Sequence, residues 1–223
     1  MFHSYSIFYS LFYILIIPFS SYKYSPIMVE KVPSPPGKLK IAEAMRSLLE
    51  DRTFESITIA EIAKAAGVTE GLIYKYFKDR RDLLHYVLKE HYELFLVQID
   101  RDLQGIDGAL NKLRKLVWSC IERYATHRVF ARIILLEVRN SEEYFQSEAY
   151  ALVKQFNRII IGIINEGIES GEIRANLPPA SIRDAIFGTI EHSCLNRVIF
   201  NEPVSTSEIA RIVTDLIFNG IKR

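Results

Sequence analysis

Residues 58–77 carry start and stop signals for two short helices joined by a tight turn. Thr58 and Glu61 have the spacing of a capping box, in which each side chain accepts a hydrogen bond from the other residue's backbone N–H. Gly67 lies at the end of the first helix, where the chain takes a left-handed backbone conformation that glycine adopts at the lowest cost. Thr69 is the next capping residue. The pattern predicts a helix-turn-helix over residues 58–77, an element that favours DNA as the partner.

The second of these helices is predicted to have an inward apolar face and an outward polar face. Ile73 and Phe77 repeat at i, i+4 and are expected to point inward. Because these two residues already supply the buried face, the side chains opposite them are expected to meet DNA. The predicted DNA-binding residues are Lys38, Thr58, Thr69, Glu70, Gly71, Tyr74, Lys75, Tyr76 and Lys78.

Different roles are expected within this DNA-binding set. Tyr74, Tyr76 and Lys78 are expected to bond phosphates and to set the register on the duplex. Lys75 is the candidate for reading a base, since lysine pairs with the O6 and N7 acceptors of guanine, and Gly71 lets the helix backbone come close to the duplex. One such helix reads only a few base pairs, so a two-fold dimer that reads two half-sites is expected.

The same stretch resembles the DNA-binding domain of TetR-type repressors, from about Lys38 to Leu84. The positions that agree in register are Phe54, Thr58, Ile62-Ala63, Ala66-Gly67-Val68, Gly71-x-x-Tyr74-x-Tyr76-Phe77 and Leu83. The resemblance implies an all-α architecture of nine helices, with an N-terminal helix-turn-helix domain followed by a helical ligand-binding and dimerisation domain. The domain boundaries that we predict are 1–37 for an N-terminal extension and linker, 38–84 for the DNA-binding domain and 85–223 for the second domain.

Amphipathic periodicity from Lys38 onward predicts helices only. The stripe that follows Asp79 is long enough for one helix to leave the first domain and enter the next. A short sixth helix is expected at 129–138, and a long seventh helix is expected to begin at Ser141 and stop at Gly171.

The last two predicted helices carry the expected dimer interface. The eighth is apolar on two sides, so one side is expected to face its own domain and the other a second subunit; the alternative is that both sides lie in one monomer core. With the stripe on the ninth helix this predicts a symmetric four-helix interface. The interface residues that we predict are Ile182, Ile186, Ile209, Ile212, Val213, Leu216, Ile217 and Gly220.

The second half also resembles, around residues 135–146 and 167–191, the acyl-CoA-responsive branch of TetR-type proteins (FadR-like) that represses fatty-acid degradation. The resemblance implies release from DNA by a hydrophobic effector, with long-chain acyl-CoA suspected. An apolar tunnel with arginines near its mouth would suit an acyl chain and a charged head, although aromatic residues at helical spacing are also what any core needs. The predicted ligand-binding residues are Phe95, Trp118, Tyr124, Phe130, Ile133, Phe156, Phe187, Arg132 and Arg139.

Composition and motifs narrow the function classes. The formal net charge is only +1, so the case for DNA rests on local placement rather than on global basicity. There is no H-E-x-x-H, Gly-rich phosphate loop or nucleophile elbow, and no enzyme activity, cofactor or metal site is expected. Cys120 and Cys194 lie far apart without metal-like spacing and are expected to be reduced core residues of a cytoplasmic protein.

The first 27 residues allow three interpretations. A secretory signal would have a basic n-region and a small-residue cleavage site, and neither is present. A single transmembrane helix needs roughly 20 apolar residues, which this stretch just reaches; the chain would then be a membrane-anchored sensor or interaction protein. The third interpretation, which we favour, is a true translation start at Met28, because the composition of residues 1–27 is what AT-rich untranslated DNA gives when read as codons.

Overall fold

The structure is a computed structural model that describes residues 34–222. Within this range the fold is all-α, as predicted, and the only β contact is an isolated bridge between Ile173 and Lys222. The helices are α1 Pro36–Asp51, α2 Ile59–Ala66, α3 Glu70–Tyr76, α4 Arg80–Leu103, α5 Ala109–Thr126, α6 Arg128–Arg132, α7 Glu142–Gln146, α8 Glu148–Glu169, α9 Pro179–Ile199 and α10 Thr206–Ile221. No helix in the described range is long and apolar enough to cross a membrane. The N-terminal segment 1–27 lies outside that range.

The described residues form ten α-helices rather than the predicted nine, because the long seventh helix is interrupted at Ser147. This residue has an extended backbone, with φ −74° and ψ 158°, and its hydroxyl accepts a hydrogen bond from Tyr150 N at 3.2 Å. It therefore caps α8 and separates it from α7. The predicted sixth helix is also shorter, since after Arg132 the backbone passes through a π-helical turn at Ile133–Glu137.

Two groups of buried apolar residues organise the subunit. The first, which we call the N-terminal cluster, joins α1 to α3 and the first half of α4 with Ile133, Val138, Tyr144 and Ala149. The second, the C-terminal cluster, joins the second half of α4 to α5, α8, α9 and α10. α4 contributes to both, as the long stripe after Asp79 predicted. Its 24 residues make it the continuous physical connection between the two clusters.

Four of the eight predicted dimer-interface residues lie in the subunit's own core, and this part of the prediction is wrong. Ile182 and Ile186 on α9 and Ile209 and Val213 on α10 are all at most 4% exposed within the C-terminal cluster. Their helical faces pack against the neighbouring helices of the same chain. The other four, also on α10, are Ile212, Leu216, Ile217 and Gly220; the first two and Gly220 are exposed and Ile217 is half-buried.

Candidate DNA-binding surface and effector site

The helix-turn-helix begins with the predicted capping box at Thr58. Glu61 N donates to Thr58 Oγ1 at 3.3 Å, and Thr58 N donates to Glu61 Oε2 at 2.8 Å. Arg52 adds an ion pair to the same carboxylate at 2.7 Å, and hydrogen bonds from Arg52 and Thr58 lower the pKa of Glu61 to about 2. α2 ends at Gly67, whose φ of 63° is the left-handed conformation that favours glycine. These local bonds fix the position of α2 relative to the turn.

The candidate recognition helix is α3, and its orientation is set by two buried residues. Ile73 is fully buried and Phe77 is 2% exposed. Thr69 caps the helix, accepting a hydrogen bond from Leu72 N at 3.3 Å. Tyr74, on the opposite face, is 56% exposed. The outward face of α3 therefore includes the predicted base-reading and phosphate-binding side chains; those that are exposed are Thr69, Glu70, Gly71, Tyr74, Lys75 and Lys78.

Two lysines on this surface have a positive charge that no described carboxylate neutralises. Lys75 and Lys78 form no ion pair with any described residue, whereas the neighbouring Arg80 and Arg81 lie 3.1 and 3.8 Å from Glu55. Lys75 and Lys78 are exposed, at and just after the end of α3. Cations without a protein partner are the groups that can neutralise DNA phosphates or reach base acceptors.

Lys38 and Tyr76, also predicted to bind DNA, lie where α1 meets α3. The Lys38 ammonium stands 4.1 Å from the centroid of the Tyr86 ring. Tyr76 is half-buried and packs beside Gly37, where an added Cβ would lie 3.5 Å from the Tyr76 ring. Both residues thus border the exposed face, and Tyr76 offers less of its side chain to an incoming ligand than Tyr74 does.

Three of the predicted pocket aromatics form a row through the C-terminal cluster. The rings of Phe95 and Phe156 meet edge-on with centroids 5.2 Å apart, and Phe156 meets Phe187 at 5.8 Å. They come from α4, α8 and α9, three different helices. An apolar chain that entered this part of the core would lie against all three.

The remaining predicted pocket residues divide between the two clusters. Trp118 and Tyr124 are half-buried against the C-terminal cluster. Phe130 stacks on His91, with ring centroids 4.0 Å apart, and packs on the N-terminal cluster. Ile133 is buried inside that cluster. It is core on the DNA-binding side, so its predicted role as a pocket wall is wrong.

The two arginines predicted to hold a charged head group are engaged with other parts of the subunit. Arg132 Nη2 donates to the Arg52 carbonyl at 3.1 Å and lies 3.5 Å from the Leu49 carbonyl. Arg139 forms a two-point ion pair with Glu191, at 2.9 and 2.5 Å. Burial opposes the charge of Arg139, but the hydrogen bonds to Glu191 outweigh it and raise its pKa. Neither guanidinium is thus a free anion-binding group.

Around the Arg139–Glu191 pair lies a buried polar group that joins the two clusters. The Tyr92 and Tyr144 hydroxyls are 3.0 Å apart, and burial raises the pKa of Tyr144 to about 12. Burial likewise raises the pKa of Tyr92. Both phenols therefore stay protonated at neutral pH and can exchange hydrogen bonds with a polar group on a ligand.

One basic residue that the sequence prediction missed is Arg123. It borders a cleft of about 330 Å³ between α1, α4, α5 and α6, which we call the Arg123 cleft. A signal was available in the sequence: Arg123 follows Leu116 and Cys120 at helical spacing, so a charge occupies a position that continues the buried face of α5. Burial lowers the pKa of Arg123 to about 10. The residues that line the cleft are Arg46, Val87, Glu90, His91, Leu94, Arg123, His127 and Phe130.

Comparison with protein families identifies both parts of the chain. The family described as "Bacterial regulatory proteins, tetR family" matches residues 41–87, and "YsiA-like protein, C-terminal region" matches residues 88–220. The chain belongs to the TetR family. It is therefore a transcription regulator with an N-terminal helix-turn-helix, as the resemblance at residues 38–84 implied.

Individual TetR-family relatives are similar over most of this chain. The Fatty acid metabolism regulator protein of Bacillus subtilis (strain 168) is 28% identical over 186 residues, which are 83% of this chain and 96% of the relative. The crystal structure of the transcriptional regulator FadR from B. subtilis in complex with stearoyl-CoA has 29% identity and a TM-score of 0.74, covering 82% of this chain and 98% of that one. The FadR structure from Bacillus halodurans, at 24% identity and a TM-score of 0.75 over 85% of this chain and 98% of that one, shares the fold.

Proposed function

We propose that this protein is a homodimeric repressor that binds a palindromic DNA operator and leaves it when a long-chain acyl-CoA binds. The observation that carries the DNA part is the exposed face of α3, where Lys75 and the following Lys78 form no ion pair with a described residue. Gly71 supports it further: a Cβ added there would meet only Thr69 Oγ1, at 3.9 Å. No contact within residues 34–222 requires glycine at this position, so close approach of DNA is the reason that we infer for it.

The proposed dimer uses an exposed apolar surface on α9 and α10. Phe200 and Leu216 are 69% and 66% exposed, and Ile199 and Ile212 are exposed with them. Large apolar side chains exposed on two helices that pack on each other are the kind of surface that a partner covers. A two-fold axis through this surface would pair α9 and α10 with their copies and place two α3 helices for two half-sites.

The proposed effector occupies the C-terminal cluster. The row of Phe95, Phe156 and Phe187 offers an apolar path, and a similar protein was crystallised with stearoyl-CoA. We infer that the effector acts by binding and that the protein has no catalytic role. Because its target is DNA, we place it in the cytoplasm.

The proposed coupling between effector and DNA runs along α4. Asp79 caps this helix directly after α3, accepting hydrogen bonds from Arg81 N and Asp82 N at 2.8 Å. Phe95, about four turns further on, lies in the C-terminal cluster. A tilt of α4 that makes room for an acyl chain would therefore move α3. The effector must favour the tilted state, since only a difference in affinity between two states shifts their equilibrium.

The experiment begins with DNA selected from a random pool by the full chain. The protein–DNA complex is then titrated separately with a long-chain acyl-CoA, a free long-chain fatty acid and CoA. Release by the acyl-CoA alone supports the proposal. No release by any of the three removes this effector, and failure to select any palindromic sequence contradicts the repressor assignment.

A further inference from the structure

The Arg123 cleft contains a positive charge that no described residue neutralises. Arg46 also borders the cleft, but its Nη1 pairs with Glu90 Oε2 at 2.6 Å and its Nη2 with Glu43 at 2.7 Å. Arg123 has no carboxylate within ion-pair distance among residues 34–222. Among the residues that line the cleft, two arginines therefore stand against one carboxylate, and Arg123 is the one that is not paired with it.

The polar contacts of Arg123 are all with a neutral neighbour. Its Nη2 donates to the His91 carbonyl at 2.9 Å, and its Nε lies 3.1 Å from His91 Nε2. Burial, together with Arg123 and His127, lowers the pKa of His91 to about 2, so this ring carries no charge at neutral pH. Burial and Arg123 also lower the pKa of His127. Neither imidazole adds a competing charge, and neither compensates for the guanidinium.

An unpaired cation in this position is costly for the folded state unless a ligand uses it. Removing a charge from water without a counter-charge is unfavourable. Arg123 Nη1 donates no hydrogen bond to a described residue. It is not buried either, since among the described residues His85 Nε2 is the one buried side-chain nitrogen or oxygen without a hydrogen-bond partner. One end of the guanidinium is thus open to the cleft.

The Arg123 cleft lies next to the apolar row in the C-terminal cluster, because Arg123 lines the cleft and also contacts Phe95. The Arg123 guanidinium carbon lies 5.5 Å from the centroid of the Phe95 ring, and Phe95 is the first of the three phenylalanines. A ligand with its apolar chain along this row would bring its polar head to Arg123. The volume of about 330 Å³ is at the lower end of the range for small-molecule sites, about 300–1,000 Å³, and exceeds what a bound water needs.

We propose that the Arg123 cleft binds a phosphate group, supplied by the polar head of the effector, and that Arg123 is the residue that holds it. The inference rests on the proposed function for the source of the phosphate, while the anion site itself stands on the cleft geometry. Nε and Nη2 of Arg123 are engaged with His91, so Nη1 is the guanidinium nitrogen that can donate a charge-assisted hydrogen bond to a phosphate oxygen. The exposed imidazole of His127 lines the same cleft and can add an N–H donor.

The test compares three variants of the full chain. Arg123→Met removes the charge at similar length, Arg123→Lys keeps the charge, and Arg114→Gln is the control, an exposed arginine on the same helix. Binding of a long-chain acyl-CoA, CoA, inorganic phosphate, a long-chain fatty acid and an uncharged long-chain alcohol is measured by calorimetry. We expect Arg123→Met to weaken acyl-CoA binding by about tenfold or more, the loss of a charge-assisted hydrogen bond. Alcohol binding should be unchanged.

The lysine variant should lie between the wild type and Arg123→Met, and the Arg114 control should bind as the wild type does. Without ligand, Arg123→Met should unfold at the same temperature as the wild type or higher, because it removes an uncompensated charge. Wild-type affinity for acyl-CoA in Arg123→Met would overturn the proposal. Dependence of fatty-acid binding, but not of CoA binding, on Arg123 would overturn the phosphate assignment in favour of a carboxylate.

The same variants separate this inference from the proposed function. If acyl-CoA releases DNA equally from the wild type and Arg123→Met, the repressor function stands and the phosphate site is wrong. If acyl-CoA and CoA bind through Arg123 but the operator complex is unaffected, the phosphate site stands and the effector role is wrong.

Discussion

Leu216→Glu should convert the proposed dimer to monomers without unfolding the subunit. Leu216 is 66% exposed on α10. Its replacement should therefore change the free energy of unfolding of the subunit by no more than about 0.5 kcal/mol, as at other surface sites. Burying a whole leucine contributes about 1.5–3 kcal/mol. Two-thirds of that is about 1–2 kcal/mol, and the two-fold axis doubles it to about 2–4 kcal/mol.

That loss corresponds to an increase of about 30-fold to 1,000-fold in the dimer dissociation constant. The desolvation of an unpaired carboxylate adds to it. Sedimentation equilibrium at low micromolar concentration should therefore show monomer, with a thermal unfolding midpoint close to that of the wild type. Leu39→Glu, at an exposed leucine on α1, is the control and should stay dimeric. If Leu216→Glu stays dimeric while remaining folded, the proposed interface on α9 and α10 is wrong.

The remaining predictions concern DNA binding and pH. Lys78→Ala should weaken DNA binding to all sequences about equally and reduce the slope of log affinity against log salt concentration by roughly one unit. Tyr74→Phe should also weaken binding to all sequences, but without changing that slope. Filter binding at several salt concentrations measures both effects. Lys75→Ala should instead flatten the preference at one base pair, losing about 1–3 kcal/mol of discrimination there, and an unchanged selected sequence would exclude Lys75 from base reading. Because burial lowers the folded-state pKa of His91 to about 2, the unfolded chain takes up a proton below about pH 6.5 that the folded chain excludes. Stability should be full above pH 6.5 and fall as the pH decreases, by up to about 1.4 kcal/mol per unit; urea titrations from pH 5 to 7 should show this slope reduced in His91→Gln.

The elements that were predicted well are those whose signals are local. The capping box at Thr58, the left-handed Gly67 and the cap at Thr69 each act within four residues, and the structure has all three. The inward pair of Ile73 and Phe77 follows from helical spacing alone. Local hydrogen bonds and periodicity are properties that a single sequence displays directly.

The predictions that failed depend on which side of a helix meets which neighbour. Ile186 and Val213 are apolar whether they face their own core or a second subunit, so periodicity could not choose between the two. The pairing of Arg139 with Glu191 joins residues 52 positions apart, and no local pattern announces it. Arg123 was missed for the same reason. A charged residue on a buried helical face can be recognised as a candidate anion site only when the structure shows whether a carboxylate lies nearby.

The split at Ser147 has a different cause. Tyr144 and Ala149 both belong to the N-terminal cluster, and packing both of them requires the chain to leave helical geometry between α7 and α8. Ser147 has a side chain that can cap the second helix, but serine is also tolerated inside helices. The sequence allows a helix break at Ser147, and tertiary packing determines that the break occurs.

Reciprocal binding tests the coupling of effector and operator most directly. The dissociation constant of a long-chain acyl-CoA is measured for the free protein and for the saturated protein–operator complex, and that of the operator is measured with and without the acyl-CoA. Because coupling between two sites is reciprocal, both ligands must lose affinity by the same factor. We expect a common factor of at least about tenfold; equal acyl-CoA affinity for the free and DNA-bound protein would contradict the proposed coupling.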